Sequence, residues 1–141
     1  MNTIKLSNIK VENLSPLDFY RNESYLQFGV NNGSSTLVPF YIDILREAIG
    51  EKVDSVQNDL PLSKEEITTI KNLFIDLIDE TLHLKETLTP YHFKLFWKEE
   101  EYDLNLSLTS PHNRRIRDFH SIVTICEQCL NENKPMYLSI E

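Results

Sequence analysis

A cluster of basic residues near position 115 offers the clearest binding chemistry in the sequence. Three arginines fall within one turn of a predicted helix, and a histidine precedes them; the set is His112, Arg114, Arg115 and Arg117. Guanidinium groups and the unbonded N–H groups of a helix N-terminus both favour anions. One hypothesis is therefore a site for a phosphorylated or other anionic ligand. The alternative is that Arg114 pairs with Asp118 one turn later and the other arginines contact acidic neighbours.

Cys126 and Cys129 have the spacing of a redox or metal-binding pair, but their predicted place in a helix argues against both uses. A thiolate is stabilised at a helix N-terminus, whereas these cysteines lie near the predicted C-terminal end and on the apolar side. A structural zinc ion would need two further ligands, and His120 lies on the opposite side of the helix. The sequence therefore predicts buried thiols, no metal site and no cofactor.

Motifs of catalysis are incomplete in this sequence. Glu80 and His83 match one half of a di-metal motif built from two Glu-x-x-His segments, and the second segment is missing. The glycines, Gly29, Gly33 and Gly50, are too widely separated for a phosphate-binding loop. We therefore expect that the protein is not an enzyme and has no catalytic residues, although distant residues can assemble into a catalytic site.

Acidic residues carry a second kind of binding chemistry. The formal net charge is −8, which disfavours nucleic acid and anionic membranes as partners because both require a basic surface. Two acidic groups stand out, a stripe along a predicted helix and a run of glutamates in a predicted hairpin: Glu65, Asp76, Asp79, Glu80, Glu99, Glu100 and Glu101. Such surfaces would attract a basic protein partner, or would serve solubility alone.

An aromatic residue in the same predicted hairpin, Phe96, is a candidate apolar contact beside the acidic residues. Strict alternation places Phe96 on the face opposite Trp97, between Lys94 and Lys98. If the Trp97 face packs on helices, Phe96 is exposed and could anchor a protein interface. If a second layer covers the other face, Phe96 is buried instead.

The stretch from Ser63 to Leu84 is predicted to be the helix around which the other elements are arranged. Ser63 and Glu66 form a capping box, and Leu62 and Ile67 stand at the positions of a hydrophobic staple. Apolar residues spread over roughly 200° of its circumference, so we expect the helix to be covered on two sides. These residues are Ile67, Ile70, Leu73, Phe74, Ile75, Leu77, Ile78, Leu82 and Leu84.

Flanking segments predict the remaining elements. Alternation indicates strands over 3–11 and 25–30, with a turn over 14–18 between them, and helical spacing indicates a helix over 36–49 that Gly50 ends. Residues 51–61 are interpreted as a polar connection. Residues 91–97 and 102–108 alternate as a hairpin with Glu99, Glu100 and Glu101 at its tip. A third helix with Ser110 as its cap begins at Pro111, and 136–140 forms a terminal strand.

This order of elements predicts an α+β fold, an antiparallel sheet of about four to five strands with three helices packed mainly on one face. We expect one globular domain over residues 1–141, because no linker separates segments of domain size. The first residues lack the apolar run of a signal peptide, and no stretch approaches the about 18 apolar residues of a membrane span. The expected location is therefore the cytoplasm.

Small size, negative charge and the lack of a catalytic motif together favour a protein-binding function. Bacterial immunity proteins and phage-encoded inhibitors have this profile, and they neutralise a toxin or effector by occluding its surface. A basic target, for example a nuclease, would associate quickly with an acidic inhibitor. The alternative hypothesis is an anion-ligand-binding domain or an enzyme that uses the helical turn at Arg114–Arg117.

Overall fold

A computed structural model describes residues 4–10, 25–28, 37–56, 58–84, 87–88, 90–105 and 111–140. Within these ranges the chain forms two antiparallel sheets and three α-helices, so the predicted α+β class is confirmed. The elements are β1 Ile4–Ser7, β2 Tyr25–Phe28, α1 Leu37–Ile49, β3 Leu60–Leu62, α2 Lys64–His83, β4 His92–Trp97, β5 Glu100–Asn105, α3 Pro111–Asn131 and β6 Met136–Ile140. A 3₁₀ helix, Gly50–Ser55, follows α1 directly.

The first sheet brings distant parts of the chain together in the strand order β2-β1-β6-β3. Leu6 in β1 lies opposite both Leu26 in β2 and Leu138 in β6. Leu6 and Leu138 are both fully buried, and as directly paired residues they project to the same face of the sheet. Helix α3 contacts β1 and β2. The prediction of a single sheet differs from the structure, in which β4 and β5 pair only with each other among the described strands.

Strand β3 corrects the interpretation of 51–61 as a polar connection. Leu60, Pro61 and Leu62 pair with β6 at one edge of the sheet. Proline is tolerated at an edge because its missing N–H can face away from the partner strand. Val53 in the preceding 3₁₀ helix is also buried, so this segment contributes to the core.

Helix α2 begins as the sequence predicts. The Ser63 hydroxyl accepts a hydrogen bond from the Glu66 N–H at 3.1 Å, and a Glu66 carboxylate oxygen accepts one from the Ser63 N–H at 3.0 Å. Leu62 and Ile67, the predicted staple residues, are both buried. Leu84 departs from the prediction, because it lies just beyond the helix end and is 64% exposed.

Helix α3 starts at Pro111, as predicted, and ends in a Schellman motif. Asn133 has a φ of 53°, the Lys134 N–H donates to the Cys129 carbonyl at 2.9 Å, and the Asn133 N–H donates to the Leu130 carbonyl at 3.4 Å. Asparagine tolerates this left-handed conformation better than most residues. The helix therefore stops at Asn131, four residues before Pro135.

Three aromatic rings, one from each helix, meet in the core. The centroids of Tyr41 and Phe74 are 6.1 Å apart, those of Phe74 and Phe119 are 5.6 Å apart, and those of Tyr41 and Phe119 are 6.1 Å apart. The Tyr41 hydroxyl donates a hydrogen bond to the Asp118 carboxylate at 3.1 Å. Burial, together with the Asp118 charge, raises the pKa of Tyr41 well above its usual value. The tyrosine is therefore a neutral donor that joins α1 to α3.

Some predicted features lie outside the described residues, namely the turn over 14–18 and the capping residue Ser110. The predicted strands over 3–11 and 25–30 are described as strands only at Ile4–Ser7 and Tyr25–Phe28. None of the described helices combines the length and the apolar character that a membrane span requires.

Both cysteines are buried in α3, with 0% and 1% exposure for Cys126 and Cys129, which confirms the sequence prediction. Burial raises the pKa of Cys126 to about 12 and also raises that of Cys129. We expect an aromatic disulfide reagent at pH 8 to label both thiols slowly in the native protein and quickly in guanidinium chloride. Rapid labelling of either cysteine in the native protein would contradict the buried arrangement.

Candidate functional site

The β4–β5 hairpin is fixed to the helices by the carboxylate of Asp79 on α2. The Trp97 indole N–H donates to one carboxylate oxygen at 3.0 Å, and the Lys98 ammonium donates to the other at 2.5 Å. The Trp97 ring also meets His120 of α3 edge-on, with centroids 5.7 Å apart. Partial burial would raise the pKa of Asp79, but the bonds from Lys98 and Trp97 outweigh it and hold that pKa below its usual value.

The register of the hairpin defines an outer face that points away from the helices. Phe96 lies opposite Glu101, and Lys94 lies opposite Asp103. We call these four residues the outer face. Phe96 is 68% exposed, so its side chain is exposed and not buried under a second layer. Lys94 and Glu101 form an ion pair at 3.5 Å, with both side chains largely exposed.

The turn of the hairpin consists of Lys98 and Glu99, with φ angles of 48° and 65°. Two successive left-handed residues define a type I′ turn, whose twist matches that of the strands. The prediction that three glutamates form the tip is therefore wrong for two of them. Glu100 and Glu101 lie in β5, where they pair with Trp97 and Phe96.

A groove of about 420 Å³ runs along β5. We call it the β5 groove. Its apolar lining includes Leu84 and Leu88, which are 64% and 44% exposed, and three acidic residues of β5 also line it. The lining residues are Leu82, His83, Leu84, Leu88, Glu100, Glu101, Tyr102, Asp103, Leu104 and His112. Within it, the Tyr102 hydroxyl donates to a Glu100 carboxylate oxygen at 2.8 Å, and this hydrogen bond raises the pKa of Tyr102.

The predicted acidic stripe of α2 is divided by the structure. Glu65 is exposed but lies about 21 Å from Asp79 along the helix axis, at about 1.5 Å per residue. Asp76 and Glu80 are exposed and lie within one helical turn of Asp79. Asp79, predicted as part of a solvated stripe, is instead partly buried and bonded to Trp97 and Lys98.

The residues of the anion-binding hypothesis point in different directions. The Arg115 guanidinium lies 5.7 Å from the Phe40 ring centroid, towards α1. Arg117 lines a second groove, of about 410 Å³, between β4 and α3. The His112 Nε2 lies 2.7 Å from the Thr81 carbonyl oxygen of α2. The side chain of Arg114 lies outside the described part of the chain. The described side chains of this set therefore do not converge on one point.

Sequence reasoning missed the β5 groove. Alternation placed Tyr102 and Leu104 on one face of the hairpin, but nothing in the pattern indicated that Leu84 and Leu88 would line the same groove. In the described part of the chain, no three His, Cys, Asp or Glu side chains are grouped in a way that could hold a metal ion.

Comparisons of this chain with protein-family models, with curated protein sequences and with solved structures give no match.

The contact of Asp79 can be tested through Trp97, the single tryptophan of the chain. Asp79→Ala removes both hydrogen bonds to the hairpin, so we expect Trp97 emission to shift to longer wavelength as the indole becomes hydrated. Asp79→Asn keeps an acceptor for the indole and should shift it less. Asp76→Asn removes the same charge at an exposed site and serves as the control. Equal emission spectra for Asp79→Ala and the unmodified protein would contradict the contact.

The same contact gives a pH dependence with a defined sign. Because the folded-state pKa of Asp79 is lowered, its contribution to stability is present above the ordinary value of 3.8 and is lost as pH falls through the lowered pKa. We expect a Trp97 emission change with a midpoint below pH 3.8, measured where far-ultraviolet circular dichroism is unchanged. Asp79→Asn should lack this step. A midpoint above the ordinary value would show that the carboxylate is not stabilised by Lys98 and Trp97.

Backbone strain at the turn provides a further test. A non-glycine residue in the left-handed region costs about 1 kcal/mol, so Glu99→Gly should raise the free energy of unfolding by about that amount. Glu99→Ala removes the same charge without relieving the strain, and we expect no gain from it. Chemical denaturation of the three proteins measures both effects. Equal stabilisation by Ala and Gly would attribute the gain to charge and not to backbone conformation.

Proposed function

We propose that the chain is a small, non-catalytic protein-binding domain that recognises a basic partner protein through the hairpin. The observation that carries this proposal is the exposure of Phe96, which is 68% accessible and lies opposite the carboxylate of Glu101. Exposed single hydrophobic residues are common on protein surfaces. An exposed aromatic ring paired across the hairpin with Glu101, a residue that also lines the β5 groove, is a more specific combination.

The way in which Phe96 is presented supports a binding role. The neighbouring residues Trp97 and Lys98 are bonded to Asp79, so the strand that carries Phe96 is fixed relative to α2. A ring on a fixed strand loses little conformational freedom when a partner covers it. Aromatic anchors of this kind dominate the affinity of many interfaces.

Charge supports a basic partner. The net charge of −8 produces a negative potential that speeds encounter with a positively charged protein at low ionic strength. On the hairpin, the carboxylates of Glu100, Glu101 and Asp103 adjoin apolar surface. Glu65, at the other end of α2, is remote from the hairpin, which makes the hairpin the stronger candidate of the two acidic regions.

The finer form of the proposal is an inhibitor of the immunity type. A domain of this size that covers the functional surface of a basic toxin or effector, for example a nuclease, would neutralise it without chemistry of its own. The anion-ligand alternative receives no support from the described side chains, because Arg115, Arg117 and His112 contact different parts of the molecule.

The proposal predicts that one acidic region, and not net charge alone, determines association. We expect Glu99→Lys with Glu101→Lys to slow association with a basic partner at least tenfold at low salt and to flatten its salt dependence. Phe96→Ala should instead speed dissociation, since a buried apolar anchor is lost. The partner is obtained by affinity capture on the unmodified protein, and rates are measured by surface plasmon resonance.

The matched control is Glu51→Lys with Glu65→Lys, which changes net charge equally on exposed residues near the N-terminal end of α2, away from the hairpin. Equal slowing by both double variants would mean that only overall charge matters. Unchanged binding by the hairpin variants, Phe96→Ala included, would overturn the proposal. If the captured partner is an enzyme, stoichiometric inhibition by the unmodified protein supports the immunity form, and full activity in the complex rejects it.

A further inference from the structure

We propose that β5 binds an extended, basic segment of the partner as a third strand of the hairpin, with alternate side chains of that segment seated in the β5 groove. The inference rests on the proposed function and specifies how the basic partner is recognised. Three observations support it: the unpaired backbone edge of β5 among the described strands, the β5 groove beside that edge, and the acidic residues that border both.

The outer edge of β5 offers backbone hydrogen bonds. Within the part of the chain that the structure describes, β5 pairs only with β4. The turn at Lys98 and Glu99 makes Trp97 and Glu100 a hydrogen-bonded pair. Because bonded and non-bonded pairs alternate in an antiparallel ladder, the N–H and C=O groups of Glu101 and Asp103 point away from β4. An added strand would bond to these groups.

The β5 groove follows this same edge. Consecutive residues of β5, from Glu100 to Leu104, line one side of it, and Leu84 and Leu88 line it from outside the hairpin. Side chains of an added strand alternate like those of β5. Those beside Tyr102 and Leu104 would enter the groove, and those beside Glu101 and Asp103 would lie on the outer face.

This geometry defines the chemistry of the bound segment. Apolar residues fit the positions beside Tyr102 and Leu104, because Leu84 and Leu88 line the groove as well. Lysine or arginine fits the intervening positions, because each lies beside the carboxylate of Glu101 or Asp103. The segment therefore alternates apolar and basic residues. The outer edge of β4 does not suit it, since Lys94 lies on that strand and Arg117 lines the groove beneath it.

Charge also excludes a second copy of this chain as the preferred occupant. Pairing of two β5 edges would bring the carboxylates of Glu101 and Asp103 from both copies together, and like charges opposite each other destabilise strand pairs. Two chains with a net charge of −8 each would repel in addition. A basic segment removes both penalties.

A synthetic peptide of alternating valine and lysine, nine residues long and fluorescently labelled, tests the inference. We expect it to bind the full chain and to slow hydrogen exchange of the Glu101 and Asp103 amides. The same peptide with N-methyl groups on the residues whose N–H faces β5 should bind at least tenfold more weakly, because the side chains remain and the backbone bonds are lost. A peptide of equal composition, in which all valines come first and all lysines follow, should also bind at least tenfold more weakly.

Variants of the protein separate the backbone contribution from that of charge. Asp103→Pro removes an N–H that points away from β4, so the hairpin keeps its own ladder while the added strand loses a donor. Asp103→Ala removes the same carboxylate and keeps the N–H. We expect Asp103→Pro to weaken peptide binding at least threefold more than Asp103→Ala. Trp97 emission equal to that of the unmodified protein confirms that the hairpin is intact in both.

Each outcome decides between the two proposals. Equal affinity for the alternating peptide, its N-methylated form and the peptide with grouped valines and lysines would overturn strand addition. Attraction by charge alone would then explain the binding. A concentration-dependent dimer that Asp103→Pro abolishes would identify a second copy as the occupant and would also overturn the inference. If the captured partner still requires Phe96 but tolerates Asp103→Pro, the proposed function stands and strand addition fails. If the captured partner requires neither, both fail.

Discussion

The packing of α2 against α3 is the constraint on which both sheets depend. These two helices share the most extensive contact of any two helices in the described chain. Phe74 and Phe119 meet at their interface, and Tyr41 of α1 completes the aromatic cluster. The four-stranded sheet contacts α3, whereas the hairpin is joined to the helix pair separately through Asp79 and His120. The two sheets are therefore separate, and the outer edges of the hairpin are unpaired among the described strands.

Local signals in the sequence predicted the elements better than their assembly. The capping box at Ser63, the start of α3 at Pro111 and the alternation around Phe96 depend on neighbouring residues, and the structure agrees with each. Strand β3 was missed because it is short and has Pro61 at its centre, a residue that normally argues against a strand. Its pairing depends on β6, which lies far away in the sequence.

The candidate site could be predicted only in part, for a similar physical reason. Periodicity placed Phe96 and Trp97 on opposite faces of the strand, because neighbouring residues of one strand alternate between its faces. It could not show that Asp79 binds Trp97 and Lys98, because that contact joins two elements whose relative position is set by packing. The exposure of Leu84 depends on where α2 ends and on which segments adjoin it. The helical spacing of apolar residues gives no information on either point.

The carboxylates near the hairpin divide into those that hold the structure and those that are free to contact the proposed partner. Asp79 accepts from two donors of the hairpin, so a partner that competed for it would loosen the surface it binds. Glu101 is different, because its pairing with Lys94 is long, at 3.5 Å, and both side chains are largely exposed. Exposed pairs of this kind contribute about 0–1 kcal/mol, so a basic group from a partner could replace Lys94 at little cost. Replacement would leave Lys94 in solvent and the hairpin unchanged, which favours Glu101 over Asp79 as a point of contact.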